Sequence, residues 1–463
     1  MYGNGREHKM KLPPWFHADR RIGLFTDIFG ITVGYFATAL IFSIPPVGMI
    51  SYAVYLLTTL LILQMLEAYD DVSSYKVQRK RLPLMLAVTA VLSAVLYALV
   101  GLILSLAGVF VPSVPESIVF FLLSYFIMLF GRLILNSLLI KRRARRSVLI
   151  LYSDECPESF LEKLTASLHD YASVERILTG ETEELETVGA AIDRCQSLLI
   201  IGNASNAVRD TYILRALGAG KQVHVIPTVK ALSFMHAKID HIGDTPVIRL
   251  KSIHVNLIDR VIKRAFDFCA ALLGFVVLSP IFLICAVMIK LDSKGPVFYR
   301  QERYTRGMER FKIVKFRTMV QDAEKNGARL AVENDSRITR AGKFLRACRL
   351  DELPQLWNIL KGEMSVVGPR PERPVYADEY GKMVKNYKIR YSVKAGLTGY
   401  AQIHGKYNTK VSDKVLLDML YISEFSLWLD LKLMVQTVYI MFIKESTEGV
   451  AENMAQAPVE KTP

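Results

Sequence analysis

Four apolar runs, Ile22–Ile44, Val47–Leu66, Leu84–Val111 and Val119–Ile140, crowd the first 146 positions of this chain. Each reaches the roughly 20 residues that an α-helix needs to cross a bilayer core. In hydrocarbon the backbone must satisfy its own polar groups, which restricts such runs to helices. The first run exceeds the apolar core of a secretory signal, about 7–15 residues, and a second run follows at once, so it reads as a span. Asp27 and Arg132 interrupt runs one and four near their basic flanks, from where each is expected to snorkel to the interface. Lys and Arg gather before run one, between runs two and three (Lys76, Arg79, Lys80, Arg81) and after run four (Lys141 to Arg146), while the other two loops hold none. The positive-inside rule then predicts four transmembrane helices with both ends cytoplasmic. No intramembrane carboxylate pair or interrupted repeat marks a transport path, so the bundle reads as an anchor.

From Ser147 the pattern changes. Ser147–Tyr152, Gln196–Gly202 and Gln222–Ile226 read as strands, with helical stretches at Glu158–Asp170 and up to Leu217. Such alternation predicts a parallel α/β sheet of Rossmann-like type. The turn after its first strand, Ser153-Asp154-Glu155-Cys156-Pro157, has no G-x-G-x-x-G and places two carboxylates where a pyrophosphate would sit. A structural, regulatory or dimerising role is therefore expected, with Cys195 and His224 as core residues. The 5 Cys form no C-x-x-C pair, which excludes a zinc ribbon or a disulfide framework.

A fifth apolar run, Ala270–Ile289, is broken at its centre by Ser279-Pro280, and both of its flanks are basic. Proline breaks the helical ladder, and a serine hydroxyl can satisfy a freed backbone group. The expected geometry is a re-entrant helix near 262–290, with a fifth span as the alternative. The chain carries 58 Lys and Arg against 44 Asp and Glu, a net +14. Between Lys251 and Leu350 the count is 20 against 9. With no aromatic-basic nucleic-acid module in view, this excess points to anionic lipid and phosphorylated substrates.

The chemistry-bearing residues follow. Phe311–Met319 reads as a strand that places Lys315 and Arg317 on one face. Arg337 and Arg346 lie in the basic stretch beyond it. Asp351 and Glu352 precede an apolar helical pattern, with Pro354 fitting its first turn. A carboxylate pair at a helix start is either an ordinary cap or a catalytic site, one carboxylate attacking while the other holds a metal or orients substrate. Arg370 stands between two prolines, a rigid presentation suited to phosphate.

Together, Lys263-Arg-Ala-Phe-Asp267, Ser279-Pro280, Gly295–Gln301, Lys315–Met319, Leu350–Gln355, Val367–Pro371 and Gly396–Gln402 resemble the bacterial sugar transferases, the polyprenyl-phosphate hexose-1-phosphate transferases that begin exopolysaccharide, capsule and O-antigen synthesis. The resemblance covers Asn256–Ile443. Ala395, Tyr400 and His404 depart from the family's usual Pro, Trp and Asn. It implies that Asp351 attacks a UDP-sugar (UDP-glucose or UDP-galactose), expelling UMP. Undecaprenyl phosphate then takes the sugar-1-phosphate. It further implies Mg²⁺ held by Glu352 with Asp351, phosphate or nucleotide binding by Lys315, Arg317, Arg370, Arg337 and Arg346, and a bacterial inner-membrane location. The expected architecture is a four-helix transmembrane domain (1–146), a Rossmann-like α/β domain (147–250), a monotopic α+β catalytic domain (251–445) and a disordered tail (446–463), and it is compatible with a homodimer. A metal-dependent hydrolase of UDP-sugar or lipid diphosphate and a non-catalytic scaffold remain the alternatives.

Overall fold

A computed structural model describes residues 15–43, 49–69, 75–109, 111–140, 146–152, 158–168, 172–178, 185–201, 206–225, 238–242, 245–249, 256–321, 323, 335–384, 386–405 and 409–442. The expected C-terminal tail and the turn at 153–157 lie outside these residues. The chain divides into two compact units, Met1–Pro227 and Thr228–Pro463.

The first unit opens with helices α1 (Trp15–Phe42), α2 (Met49–Met65), α3 (Tyr75–Leu106) and α4 (Val114–Ile140). Three of them contain segments long and apolar enough to cross a membrane: Gly23–Phe42, Arg81–Leu106 and Val114–Leu135. Helix α2 has 17 residues, about 26 Å of helix, the short end of spanning lengths. Tyr55 is buried in an aromatic cluster, its ring centroid 4.0 Å from Phe120 and 4.7 Å from Phe121. Phe25, Phe29, Phe36 and Leu40 of α1 face outward, the inverse of a water-soluble helix. Helices α1 and α4 pack closely because small residues line the contact: a Cβ at Gly34 would fall 2.3 Å from Ser124 Oγ.

Asp27 and Arg132 do not snorkel. They are buried and paired with each other, Arg132 Nε donating to Asp27 Oδ1 at 2.8 Å and Tyr69 Oη donating to Asp27 Oδ2 at 2.7 Å. Opposite charges on the facing helices α1 and α4 satisfy one another more cheaply than either would by bending toward water.

The rest of this unit holds a four-stranded sheet built from β1 (Arg146–Tyr152), β2 (Ala172–Leu178), β3 (Ser197–Ile201) and β4 (Gln222–Val225). Its order is β2-β1-β3-β4 and every pairing is parallel. Helices α5 (Glu158–Leu168), α6 (Leu185–Arg194) and α7 (Asn206–Gly218) connect the strands. Strand β2 was not foreseen: in Ala-Ser-Val-Glu-Arg-Ile-Leu two adjacent charges interrupt the apolar alternation. Cys195 is buried in the core of this sheet, as expected. His224, expected there too, is exposed, because β4 ends the sheet order and His224 falls on its open face.

The second unit begins with the hairpin β5 (Lys238–Ile242) and β6 (Thr245–Arg249). Helices α8 (Leu257–Val277) and α9 (Ser279–Asp292) follow, bent by 61° at Leu278. Ser279 and Pro280 open the second helix at this break, and Ser279 Oγ donates to the Val276 carbonyl at 2.7 Å. Val276, Val277, Leu283, Ile284 and Leu291 are exposed. Phe275, Leu278 and Phe282 turn inward onto the core. That core also takes in β8 (Arg310–Phe316), which pairs antiparallel with β7 (Phe298–Tyr304).

Beyond the β7–β8 hairpin come α10 (Arg340–Ala347), α11 (Gln355–Lys361), α12 (Pro374–Met383), α13 (Tyr400–His404), α14 (Val411–Ser423) and, last among the described residues, α15 (Leu427–Met441). Asp430 belongs to the buried side of this last helix: its Oδ2 accepts from Lys263 Nζ at 2.7 Å and its Oδ1 from Tyr421 Oη at 2.8 Å.

Candidate active site

Strand β8 places Lys315. Phe311 and Ile313 on the same face are buried in the core, and Lys315 takes the next position, where that core ends. Its ammonium reaches Glu352 Oε1 at 2.7 Å.

Glu352 and Asp351 lie in a single 3₁₀ turn, Leu350–Glu352, ahead of helix α11 (Gln355–Lys361). Pro354 falls just before that helix rather than within its first turn, since the tighter turn uses up the chain first. Leu350 and Leu353 anchor this turn on Cys285, Ile289 and Phe316. The helix that follows has only 7 residues, so the field at the pair comes mainly from side chains.

Asn358 registers α11 against β8. Its Nδ2 donates to the Lys312 carbonyl at 2.8 Å, and its Oδ1 accepts from Val314 N–H at 2.9 Å. One buried amide thus ties the element carrying the carboxylates to the strand carrying Lys315. Sequence reading missed it, because an Asn inside an apolar pattern shows nothing of its partners.

Arg370 comes from the loop after β9 (Ser365–Val367). Its Nη2 donates to Glu352 Oε1 at 2.9 Å and its Nη1 to Gln402 Oε1 at 3.3 Å. The loop is fixed by backbone bonds to β10 (Gly396–Thr398), Gly368 N–H to the Thr398 carbonyl at 2.8 Å and Gly396 N–H to the Pro369 carbonyl at 2.9 Å. Glycine is required for this approach: a Cβ at Gly368 would lie 2.4 Å from the Lys394 carbonyl oxygen. Two further arginines hold the loop by its carbonyls. Arg303 Nη1 donates to Pro371 O at 3.1 Å, and Arg390 Nη2 donates to Arg370 O at 3.1 Å while pairing with Asp418 at 2.8 Å. Burial pushes the Arg303 guanidinium down to about 10 and the Asp418 carboxyl up to about 6.

The two carboxylates are driven apart electrostatically. Burial raises the Asp351 pKa, with Lys315 pulling the other way and Glu352 adding to the rise. Burial acts on Glu352 in the same sense, but Arg370 and Lys315 together hold it well below the usual carboxylate range. Glu352 is thus a fixed anion, and Asp351 is a carboxylate whose ionised form is poorly stabilised, the condition for a reactive oxygen.

The other expected residues are distributed differently. Arg346 contributes to the charge felt by Asp351, and its Nε donates to Thr318 Oγ1 at 2.9 Å. Arg317 is buried and turned onto the carbonyls of Ser293 and Lys294, both at 2.8 Å. Strand pairing ends at Phe316, so the shared face expected for Lys315 and Arg317 stops there. Arg337 closes on Asp335, 2.6 Å from Nη2 to Oδ2. Asp267 of the Lys263–Asp267 motif accepts from Val366 N–H at 3.0 Å, holding β9 against α8.

A model of the family described as bacterial sugar transferase matches residues 258–444. The exopolysaccharide production protein PSS of Rhizobium leguminosarum bv. phaseoli is 38% identical over 200 residues, 98% of its length and 41% of this chain. The chain belongs to the bacterial sugar transferase family. A UDP-glucose:undecaprenyl-phosphate glucose-1-phosphate transferase of Klebsiella pneumoniae is 40% identical over 226 residues, 48% of this chain and 49% of the relative. A UDP-N-acetylgalactosamine-undecaprenyl-phosphate N-acetylgalactosaminephosphotransferase of Aeromonas hydrophila is 38% identical over 232 residues, 50% and 54% respectively. The match spans about half the length of these two sugar transferases. It contains every residue of the site just described.

Among the described residues no three His, Cys, Asp or Glu side chains form a metal cage. Mg²⁺ needs none: it takes one or two carboxylates and fills its shell with water and phosphate oxygens. Adjacent Asp351 and Glu352 fit that donor set.

Proposed function

We propose that this chain transfers a sugar-1-phosphate from a UDP-sugar to undecaprenyl phosphate, an early membrane step of polysaccharide synthesis. The observation that carries the reading is the asymmetric pair: Asp351, half-buried and raised in pKa, beside Glu352, held ionised by Lys315 and Arg370. In the first step an Asp351 carboxylate oxygen attacks the phosphorus that bears the sugar. The bond from that phosphorus to the UMP oxygen breaks, and UMP leaves with the electron pair. In the second step a phosphate oxygen of undecaprenyl phosphate attacks the same phosphorus and releases the Asp351 carboxylate. The product is undecaprenyl-diphosphate sugar. Lys315 and Arg370 orient Glu352 and offset charge on the diphosphate as it binds, the main protein contribution in phosphoryl transfer. Mg²⁺ held by Glu352 with Asp351 would neutralise further diphosphate charge.

The α8–α9 pair is proposed to enter one leaflet and return, with the break at Ser279-Pro280 as its turning point. That geometry keeps the reacting groups at the cytoplasmic face of the inner membrane, where a lipid phosphate meets a soluble nucleotide sugar. The helices of residues 1–146 serve as an anchor, and the parallel sheet β1–β4 forms a domain ahead of the catalytic one.

The test uses purified full-length protein in detergent with Mg²⁺, undecaprenyl phosphate, and UDP-glucose, UDP-galactose and UDP-N-acetylgalactosamine in turn. UMP release that depends on the lipid is the expected result, with UDP-glucose assayed first. UMP at full rate without lipid would instead indicate a hydrolase. If no UDP-sugar yields lipid-dependent UMP, the reading fails.

A further inference from the structure

A second cationic recess lies at the opposite end of α11 from Asp351. Arg264 marks its position, since its guanidinium donates to the Ile359 and Leu360 carbonyls at 2.6 and 2.7 Å, at the C-terminal end of that helix. The 7 residues of α11 put about 10 Å of helix between this end and the carboxylate pair. The recess encloses about 120 Å³ and brings together Arg260, Lys263, Arg264, Arg306 and Lys394, with Asp267 the one carboxylate in its lining.

Some of this charge is already answered. Lys263 is bound by Asp430 and lies 3.5 Å from Asp267. Arg264 is spent on the two carbonyls of α11. The side chains of Lys394 and Arg306 make no ion pair or hydrogen bond among the described residues. Lys394 is half-buried, and burial, reinforced by Arg264 and Arg306, lowers its pKa against the weaker opposing pull of Asp267 and Glu309. Ser392 also lines the recess, and its hydroxyl oxygen is buried and without a hydrogen-bond partner among the described residues. A partly desolvated excess of positive charge beside an unsatisfied hydroxyl is costly unless an anion that accepts hydrogen bonds completes it.

The surroundings identify the source of that anion. Leu257, Ile258 and Val261 lie on the same first two turns of α8 as Arg260, Lys263 and Arg264, and are 74%, 71% and 61% exposed. Cationic and outward apolar side chains thus share the start of one helix that forms the first half of an apolar, bent pair. We infer that this recess binds the phosphate of an anionic phospholipid, with the acyl chains along the apolar face of α8, as a site separate from the reaction centre. Its consequence is a catalytic unit seated at a fixed depth and orientation by a bound lipid.

The experiment is native mass spectrometry of the full-length chain in a neutral detergent. It is titrated with dioctanoyl phosphatidylglycerol, with dioctanoyl phosphatidylcholine and with inorganic phosphate. Retention of phosphatidylglycerol over phosphatidylcholine is expected. Lys394→Met and, independently, Arg306→Gln should each weaken that retention about tenfold, the scale of one charge-assisted contact. Ser392→Ala should weaken it less. Lipid-dependent UMP release in neutral detergent should stay at the wild-type rate in all three variants. Retention of phosphatidylglycerol by Arg306→Gln and Lys394→Met at the wild-type level overturns the site. Inorganic phosphate that displaces the lipid at equal concentration overturns the assignment to a lipid. A selective loss of UMP release in folded Arg306→Gln overturns its separation from the reaction centre.

Discussion

The loop that carries Arg370 is held by a backbone approach that permits no side chain, and Gly368→Ala tests what that approach does. A Cβ at Gly368 would lie 2.4 Å from the Lys394 carbonyl oxygen and 3.0 Å from Gly396 N, whereas ordinary contact begins at 3.4 Å. Both neighbours are backbone, so neither can rotate away, and the loop must move off β10 by about 1 Å. The bonds of 2.8 and 2.9 Å that pin the loop would then be lost. Arg370 lies two residues further on, and its 2.9 Å bond to Glu352 would open as well. A displacement of about 1 Å in a charge-positioning group costs on the order of 100-fold in rate, about 2.7 kcal/mol. The assay is lipid-dependent UMP release, with kcat and KM separated and the thermal midpoint measured in parallel. Gly381→Ala is the control, since its Cβ would meet only Tyr387 Cδ1, at 3.9 Å. The expected outcome is a kcat near one hundredth of wild type for Gly368→Ala in a folded protein, and an unchanged rate for the control. A folded Gly368→Ala protein that keeps more than a third of wild-type kcat refutes the link between this contact and Arg370.

Four other predictions concern charge. Asp351→Asn should abolish UMP release yet raise the thermal midpoint at pH 7.5. A folded pKa raised above the unfolded value near 3.9 means that ionised Asp351 opposes folding, so the gain should vanish as pH falls below about 4. Lys315→Met removes the strongest force opposing that rise; the acidic limb of the pH–rate profile should move to higher pH, and a downward move or no move counts against the pairing. Asp418→Asn frees Arg390 from its 2.8 Å partner and loosens its hold on the Arg370 carbonyl, so kcat should fall about tenfold with KM for the UDP-sugar little changed. Among the N-terminal helices, Arg132→Met leaves the buried Asp27 carboxylate without its counter-charge and should destabilise the detergent-solubilised protein by about 3 kcal/mol. Adding Asp27→Leu should restore most of the lost midpoint.

The elements most legible in the sequence are those whose physics is local. Apolar runs report the solvent a helix must face, and three N-terminal helices are long and apolar enough to cross a membrane. The break at Ser279-Pro280 was equally local, because proline removes its own hydrogen bond wherever the chain ends up. Lys315, Asp351, Glu352 and Arg370 could be named from the sequence because the motifs around them are compact. Only tertiary structure decided what they touch. Lys315 and Arg370 converge on one oxygen of Glu352 from segments 37 residues before it and 18 after. Arg317, two residues beyond Lys315, is drawn instead to carbonyls at the end of α9. Charge count cannot separate these cases, since arginine serves equally well as a ligand for phosphate or as a brace for carbonyl oxygens. Asn358, Arg303, Arg390 and Asp418 stayed hidden for the same reason. Their contribution is the position of other groups, and position across distant segments is set by the packed core and the hydrogen bonds it buries.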